Sequence, residues 1–146
     1  MSLEEEKLLP KELRDKQLKS AGNIRGWKYE DLPLLSRTCR ELGLAVYGGH
    51  AAFCLPDAAR ELYWKKANPH IKITEETWQQ YVDRSGAEFL SLVKELFDHT
   101  DFEQEATHSF DTLREKKKSG LNILDYLCVI VDIVSESRYG IYFKPY

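Results

Sequence analysis

Between residues 75 and 97 the side chains of Trp78, Tyr81, Val82, Ser85, Phe89, Leu92, Val93 and Leu96 recur three and four positions apart, on one face of a helix. Thr74 suits the N-cap, and Glu75 and Glu76 suit a first turn, where the helix dipole favours acids. An apolar stripe this long must be covered, so the chain has to supply an apolar surface against it.

The nearest source of such a surface is "LAVYGGHAAFCLPD", residues 44–57. Residues 44–47 read as a buried strand ending at Gly48-Gly49, and residues 51–55 as a second extended stretch. "PDAA" then turns the chain. Two readings stand for "RELYWKK", residues 60–66: a helix over 57–67 started by Pro56, or a strand antiparallel to 51–55. Upstream, Leu32, Leu35, Cys39 and Leu42 predict a helix from about 31 to 42, with Pro33 in its first turn and Gly43 at its stop.

The flanks are less constrained. Residues 4–20 predict a polar surface helix interrupted by Pro10, followed by a loop through Ala21-Gly22-Asn23. Residues 101–118 predict one amphipathic helix, with Phe102, Ala106, Phe110 and Leu113 inward and Gly120 closing it. Leu121, Leu124, Cys128, Val131 and Val134 fit a buried helix followed by a strand, yet five of residues 128–134 are β-branched, and a hairpin is the alternative. "YGIYFK", 139–144, reads as a terminal strand, and Tyr139, Tyr142, Phe143 and Tyr146 suit either core or self-association. The expected fold is a single α+β domain over residues 1–146, a small antiparallel sheet packed against several helices.

Composition narrows the function classes. A net charge of −3 and a sequence pI near 5.8 argue against a nucleic-acid binder, whose domain carries a basic footprint. No apolar run approaches the roughly 18–20 residues of a membrane span. "MSLEEEKLLPKEL" has no apolar segment of the signal-peptide kind, so the chain is expected in the cytoplasm. Cys39, Cys54 and Cys128, widely spaced among apolar neighbours, read as buried free thiols.

Chemical motifs are sparse. Gly48-Gly49 lacks the GK[ST] ending of a phosphate loop and the G-x-G-x-x-G of a dinucleotide site, which leaves a tight turn or bulge that needs positive φ. His50 beside it is a candidate general base, although no Ser-His-Asp or Cys-His spacing supports it and Cys54, four residues along an extended segment, would be some distance away. Asp101, Glu105 and His108 fall on one helical face and form a candidate metal set. From Glu95 to Leu113 there are acids (Asp98, Asp101, Glu103 and Glu105 among them) but no Lys or Arg. Acids at the start of the 101–118 helix and Lys116, Lys117 and Lys118 at its end complement the helix dipole; the same acids could face a basic partner. Trp64, beside Lys65 and Lys66, is a candidate interface anchor.

Taken in order, "WKYED", "LAVYGGHAAFCLPD", the aromatic pair Tyr63-Trp64 and "TEETWQQYVDRSGAEFL" resemble a family of predicted immunity proteins of bacterial polymorphic toxin systems. Members tend to carry a Gly-Gly after a short strand, a "WY"-like site and a "W..Y..RS" helix. The corresponding residues here are Gly48 and Gly49, the reversed pair Tyr63-Trp64, and Trp78, Tyr81, Arg84 and Ser85; His50 stands where an acid is often found. The resemblance covers about residues 27–97 and leaves 98–146 as an extension. It implies a hairpin across 51–66 and a non-enzymatic protein, without cofactor, that neutralises a cognate toxin by occluding its active site. Were the toxin a nuclease with a basic cleft, Trp64, Asp98, Asp101, Glu103 and Glu105 would be the expected contacts. The alternatives are a small hydrolase or metal-binding enzyme using His50 or the Asp101/Glu105/His108 face, and a general interaction module.

Overall fold

The computed structural model describes residues 3–142. Its centre is a strand, β3 (Ala45–Cys54), flanked on one side by β4 (Ala59–Lys66) and on the other by β5 (Leu127–Val134), all antiparallel. The expected break at Gly48-Gly49 is absent: one strand runs through the pair, because β5 bonds it along its whole length. Neither glycine has positive φ. The register does shift between Val46 and Gly48 against β5, so the bulge is present and the left-handed turn is not.

Close approach explains the glycines. A Cβ on Gly49 would stand 2.8 Å from the Phe89 ring and 2.9 Å from the Ile130 carbonyl oxygen, and one on Gly48 would stand 2.6 Å from Asn68 Oδ1. The 60–66 segment is a strand, with Leu62 opposite Ala51 and Cys54 opposite Ala59. Pro56 and Asp57 form the turn, closed by reciprocal backbone bonds between Leu55 and Ala58. The hairpin implied across 51–66 is therefore present.

Helix α4 (Trp78–Asp98) lies across β3 and buries Tyr81, Val82, Ser85, Phe89 and Val93. It starts three residues later than expected. Thr77, not Thr74, is the N-cap, in a capping box with Gln80, while Glu76 turns back to accept two bonds from the Arg84 guanidinium. Arg84 also donates to Glu88 and to the carbonyls of His70 and Ile71, tying the 70–76 loop onto the helix. Ser85 Oγ accepts the Val46 N–H at 3.3 Å, which fastens helix to strand. Trp78 is half-buried, donates to the Gly43 carbonyl and packs on Tyr81 and Tyr139. Leu92 is exposed, so the buried stripe is narrower than its sequence pattern.

Beside it runs α3 (Leu32–Glu41), where Ser36 Oγ would meet a Cβ on Gly86 at 2.9 Å. Gly43 at φ +70° ends α3, with Leu44 N–H returning to the Cys39 carbonyl and Gly43 N–H to that of Arg40. That reversal turns Leu42 out to solvent and buries Leu44 in its place.

The single helix expected over 101–118 is two: α5 (Phe102–Ser109) and α6 (Asp111–Lys118), separated by Phe110 in extended conformation. Asp101 is the N-cap of α5, and Arg114 reaches back to the Thr107 carbonyl across the break. A straight helix of this length would extend about 27 Å. The break lets Phe102 and Ala106 from one half and Leu113 from the other share a cluster with Ala51, Phe53, Leu55 and Leu62.

After a short 3-10 turn at Ile123–Tyr126, β-branched composition prevails and the buried helix expected over 121–135 is replaced by β5. The terminal strand expected at 139–144 is also corrected: α7 (Glu136–Tyr142) is helical, and residues 143–146, with Phe143 and Tyr146, lie outside the described residues.

The polar N-terminal helix resolves into α1 (Leu3–Glu6) and α2 (Lys11–Asp15), followed by a ribbon of β1 (Leu18–Lys19) and β2 (Arg25–Gly26). Trp27, fully buried, exchanges backbone bonds with Val129 of β5 and donates Nε1–H to the Leu13 carbonyl. The fold is thus α+β, and no helix among the described residues is long and apolar enough to cross a membrane.

Two measurements check this account. Gly49→Ala should lose about 1–3 kcal/mol in chemical denaturation, the range for forcing a methyl into a filled core. Gly140→Ala, with nothing within 4 Å, should lose none. The Arg84 hydrogen bonds hold the Glu76 carboxyl down from 4.5 to about 2. A lowered folded value stabilises the protein at neutral pH, and that share is lost as pH falls from 4.5 through about 2. Glu76→Gln should flatten the pH dependence of stability in this window.

Candidate interaction site

The pairing of β4 with β3 jumps from Leu62, opposite Ala51, to Lys66, opposite His50. Tyr63, Trp64 and Lys65 therefore have no counterpart on the neighbouring strand and bow out of the sheet. Tyr63 is 63% and Trp64 51% exposed. Among the described residues no strand pairs along the outer edge of β4.

The two rings leave on opposite faces, and each is held by an acid. Tyr63 lies 5.0 Å from the His50 ring and donates its hydroxyl to Glu61 Oε2 at 2.6 Å. Trp64 stacks on Phe110 at 6.2 Å and donates Nε1–H to Glu105 Oε1 at 3.0 Å. Lys65 Nζ approaches the same Glu105 oxygen at 3.6 Å. Large aromatic surface is thus presented in fixed orientations, with the polar head of each ring already bonded.

Of the other expected contacts, Asp98 pairs with Lys94 at 2.6 Å, Asp101 accepts the Gln104 N–H, and Glu103 pairs with Lys117 at 2.7 Å. Lys94, four residues before Asp98, is a local partner; Lys117 and Lys65 reach the acids only through the fold. Trp64 and Glu105 are brought together; Asp98 stands at the end of α4, beyond their contact. The Asp101/Glu105/His108 set is not assembled. Asp101 is a cap outside the helix, Glu105 is committed to Trp64 and Lys65, and His108 lines an open cleft with Arg114, Lys117 and Lys118. Among the described residues no group of three or more His, Cys, Asp or Glu could hold a metal ion.

His50 has its own partners. Its Nε2 lies 2.8 Å from Glu61 Oε1, which makes a chain Tyr63–Glu61–His50 on the sheet face opposite α4. Asp132, on β5 opposite Gly48, joins this polar end; burial raises its carboxyl above the ordinary 3.8, and His50 opposes the shift. The cluster can hold and pass a proton, but the Tyr63 hydroxyl is spent on Glu61. Cys54, four residues along β3, is about 13 Å from His50 by strand rise. Its sulfur touches Cys128 instead, so no Cys–His dyad forms.

Glu61 and Asp132 carry no motif signal. Glu61 was legible only through the two-residue strand period that puts it on the Tyr63 face, and Asp132 only as the lone acid in a β-branched run. Comparison of the chain with protein-family models, curated proteins and solved structures finds no match.

The bond to Glu61 pushes the Tyr63 phenol above its ordinary 10, because ionising it would put an anion beside the carboxylate. Glu61→Gln should bring the Tyr63 titration back down, read by ultraviolet absorbance against a Tyr63→Phe reference.

Proposed function

We propose that this chain is a partner-binding protein of the immunity type, which neutralises a cognate toxin domain by covering its active site with the bulged segment of β4. The observation that supports it is the pair Tyr63 and Trp64, more than half exposed and braced by Glu61 and Glu105 on a strand edge. Association is costly when side chains must be frozen, and rings already fixed avoid part of that cost. The hairpin implied by the family resemblance carries these rings.

Charge has a secondary part in this reading. Asp98, Asp101 and Glu103 are engaged within the chain, which reduces the free negative field they offer a basic cleft. Glu105 matters through Trp64, whose orientation it sets.

A second reading, a small hydrolase, rests on the Tyr63–Glu61–His50 chain beside Asp132. It requires His50→Ala to abolish an activity while leaving partner binding intact.

The test is co-expression with the product of the neighbouring gene, followed by growth rescue and affinity measurement. Trp64→Ala should weaken the complex roughly 30-fold, the ~2 kcal/mol of an interface hot spot. Glu105→Ala should weaken it less, and Asp98→Lys should leave it within about twofold, the size of a rim effect. A complex that forms unchanged with Trp64→Ala and Tyr63→Ala would show that β4 is not the contact surface. Absence of both binding and rescue would end the immunity reading.

A further inference from the structure

Cys54 and Cys128 lie 74 positions apart in the chain and on adjacent strands, with their sulfurs 2.9 Å apart. Cys128 stands opposite Ala52, so Cys54 is its diagonal neighbour on the same face of the sheet. Both are free and buried. They lie on the face opposite α4, in a small cluster with Ala52, Leu18, Ile24 and Ile130. Their cover is the β1–β2 ribbon: a Cβ on Gly26 would stand 2.7 Å from Cys128 Sγ, so the ribbon backbone rests on the sulfur.

The geometry points to a latent cross-strand disulfide between Cys54 and Cys128, closed by exchange with a low-molecular-weight disulfide of the glutathione class when the β1–β2 ribbon lifts. Neighbouring strands hold the two sulfurs 2.9 Å apart, in contact, and an S–S bond would shorten that separation by about 0.9 Å. The ribbon is two residues long on each side, Leu18 opposite Gly26 and Lys19 opposite Arg25, and is tied to the rest of the chain by Ser20 Oγ–H to the Leu55 carbonyl and by the Arg25–Glu6 pair. Local opening of so small a unit requires much less free energy than global unfolding.

The chemistry balances. One cysteine gives its proton to solvent, and its thiolate attacks the small disulfide; a mixed disulfide forms and one small thiolate leaves. The second cysteine then loses its proton and attacks the protein-bound sulfur of the mixed disulfide. The intramolecular S–S bond forms and the second small thiolate departs. Two protein thiols are oxidised, one small disulfide is reduced to two thiols, and the two protons end on those thiols. While the ribbon is closed, mutual hydrogen bonding and burial push the Cys128 thiol up, keeping it protonated and slow to react. Cys39, on the buried face of α3 in a separate cluster, has its thiol pushed up to about 12 by burial and is the internal control.

The full chain is incubated with oxidised glutathione and analysed by intact mass and non-reducing peptide mapping, alongside Ile24→Ala, which thins the cover over the sulfurs and keeps both cysteines. The expected product has lost two hydrogens, links the Cys54 and Cys128 peptides, and leaves Cys39 open to alkylation. It should form at least several-fold faster in Ile24→Ala and should melt at a higher temperature than the reduced chain. Cys128→Ala should give only a reversible glutathione adduct. Stable adducts without the internal link in both wild type and Ile24→Ala, or a link that includes Cys39, would overturn the assignment. Equal rates in the two proteins would overturn the role of the ribbon.

Discussion

Phe89 of α4 rests on the bare backbone of Gly49, and the architecture is arranged around that contact. The Phe89 ring can lie this close to the middle strand because Gly49 has no side chain in its way. Once the helix settles, Tyr81, Val82, Phe89 and Val93 seal against Ala45, Val46 and the inner residues of β5. The Val46 N–H bond to Ser85, the approach of α3 at Gly86 and the Arg84 clamp on the 70–76 loop follow from the helix being held at that depth. The bulge at Tyr47, between Val46 and Gly48, lets β3 stay paired with β5 while its residues change phase just before the glycine pair.

The sheet has two unlike faces. The face under α4, α5 and α6 is apolar and closed. The other is covered only in part, by the β1–β2 ribbon over Ala52, Cys54 and Cys128, and beyond it carries His50, Glu61, Tyr63 and Asp132. The irregular part of β4 sits between the two, which is why Tyr63 joins the polar face and Trp64 the α5–α6 side. A two-residue strand period would allow Glu61 and Tyr63 to meet in any hairpin. The Trp64–Glu105 bond exists only because two helices from the last third of the chain pack there.

Legibility in the sequence followed the range of the forces involved. The α4 stripe, the Gly43 stop of α3, the Gly120 close of α6 and the Pro56-Asp57 turn depend on residues within a few positions, and these features were readable. The misreadings were contests between local signals that a distant contact decided. Thr74 suits an N-cap by type, but Thr77 takes that place in a capping box with Gln80 while Arg84 holds Glu76 outside the helix. The 101–118 segment is amphipathic throughout, but coverage of Phe53 and Leu62 favoured a break at Phe110. Residues 128–134 suit helix or strand by apolar content, and the open edge of β3 took them as a strand.

Periodicity and composition thus determined an α+β domain with one dominant helix, buried thiols and an exposed Trp64, because each depends on side-chain type and short spacing. Only the tertiary structure decided what those residues meet: an acidic run matched by Lys65 and Lys117, a histidine committed to Glu61 and Tyr63, and two distant cysteines in contact. The reason is physical. Charge pairing, ring stacking and sulfur contact act over a few ångströms in space, and nothing in the spacing of residues 41 or 74 positions apart records that they become neighbours.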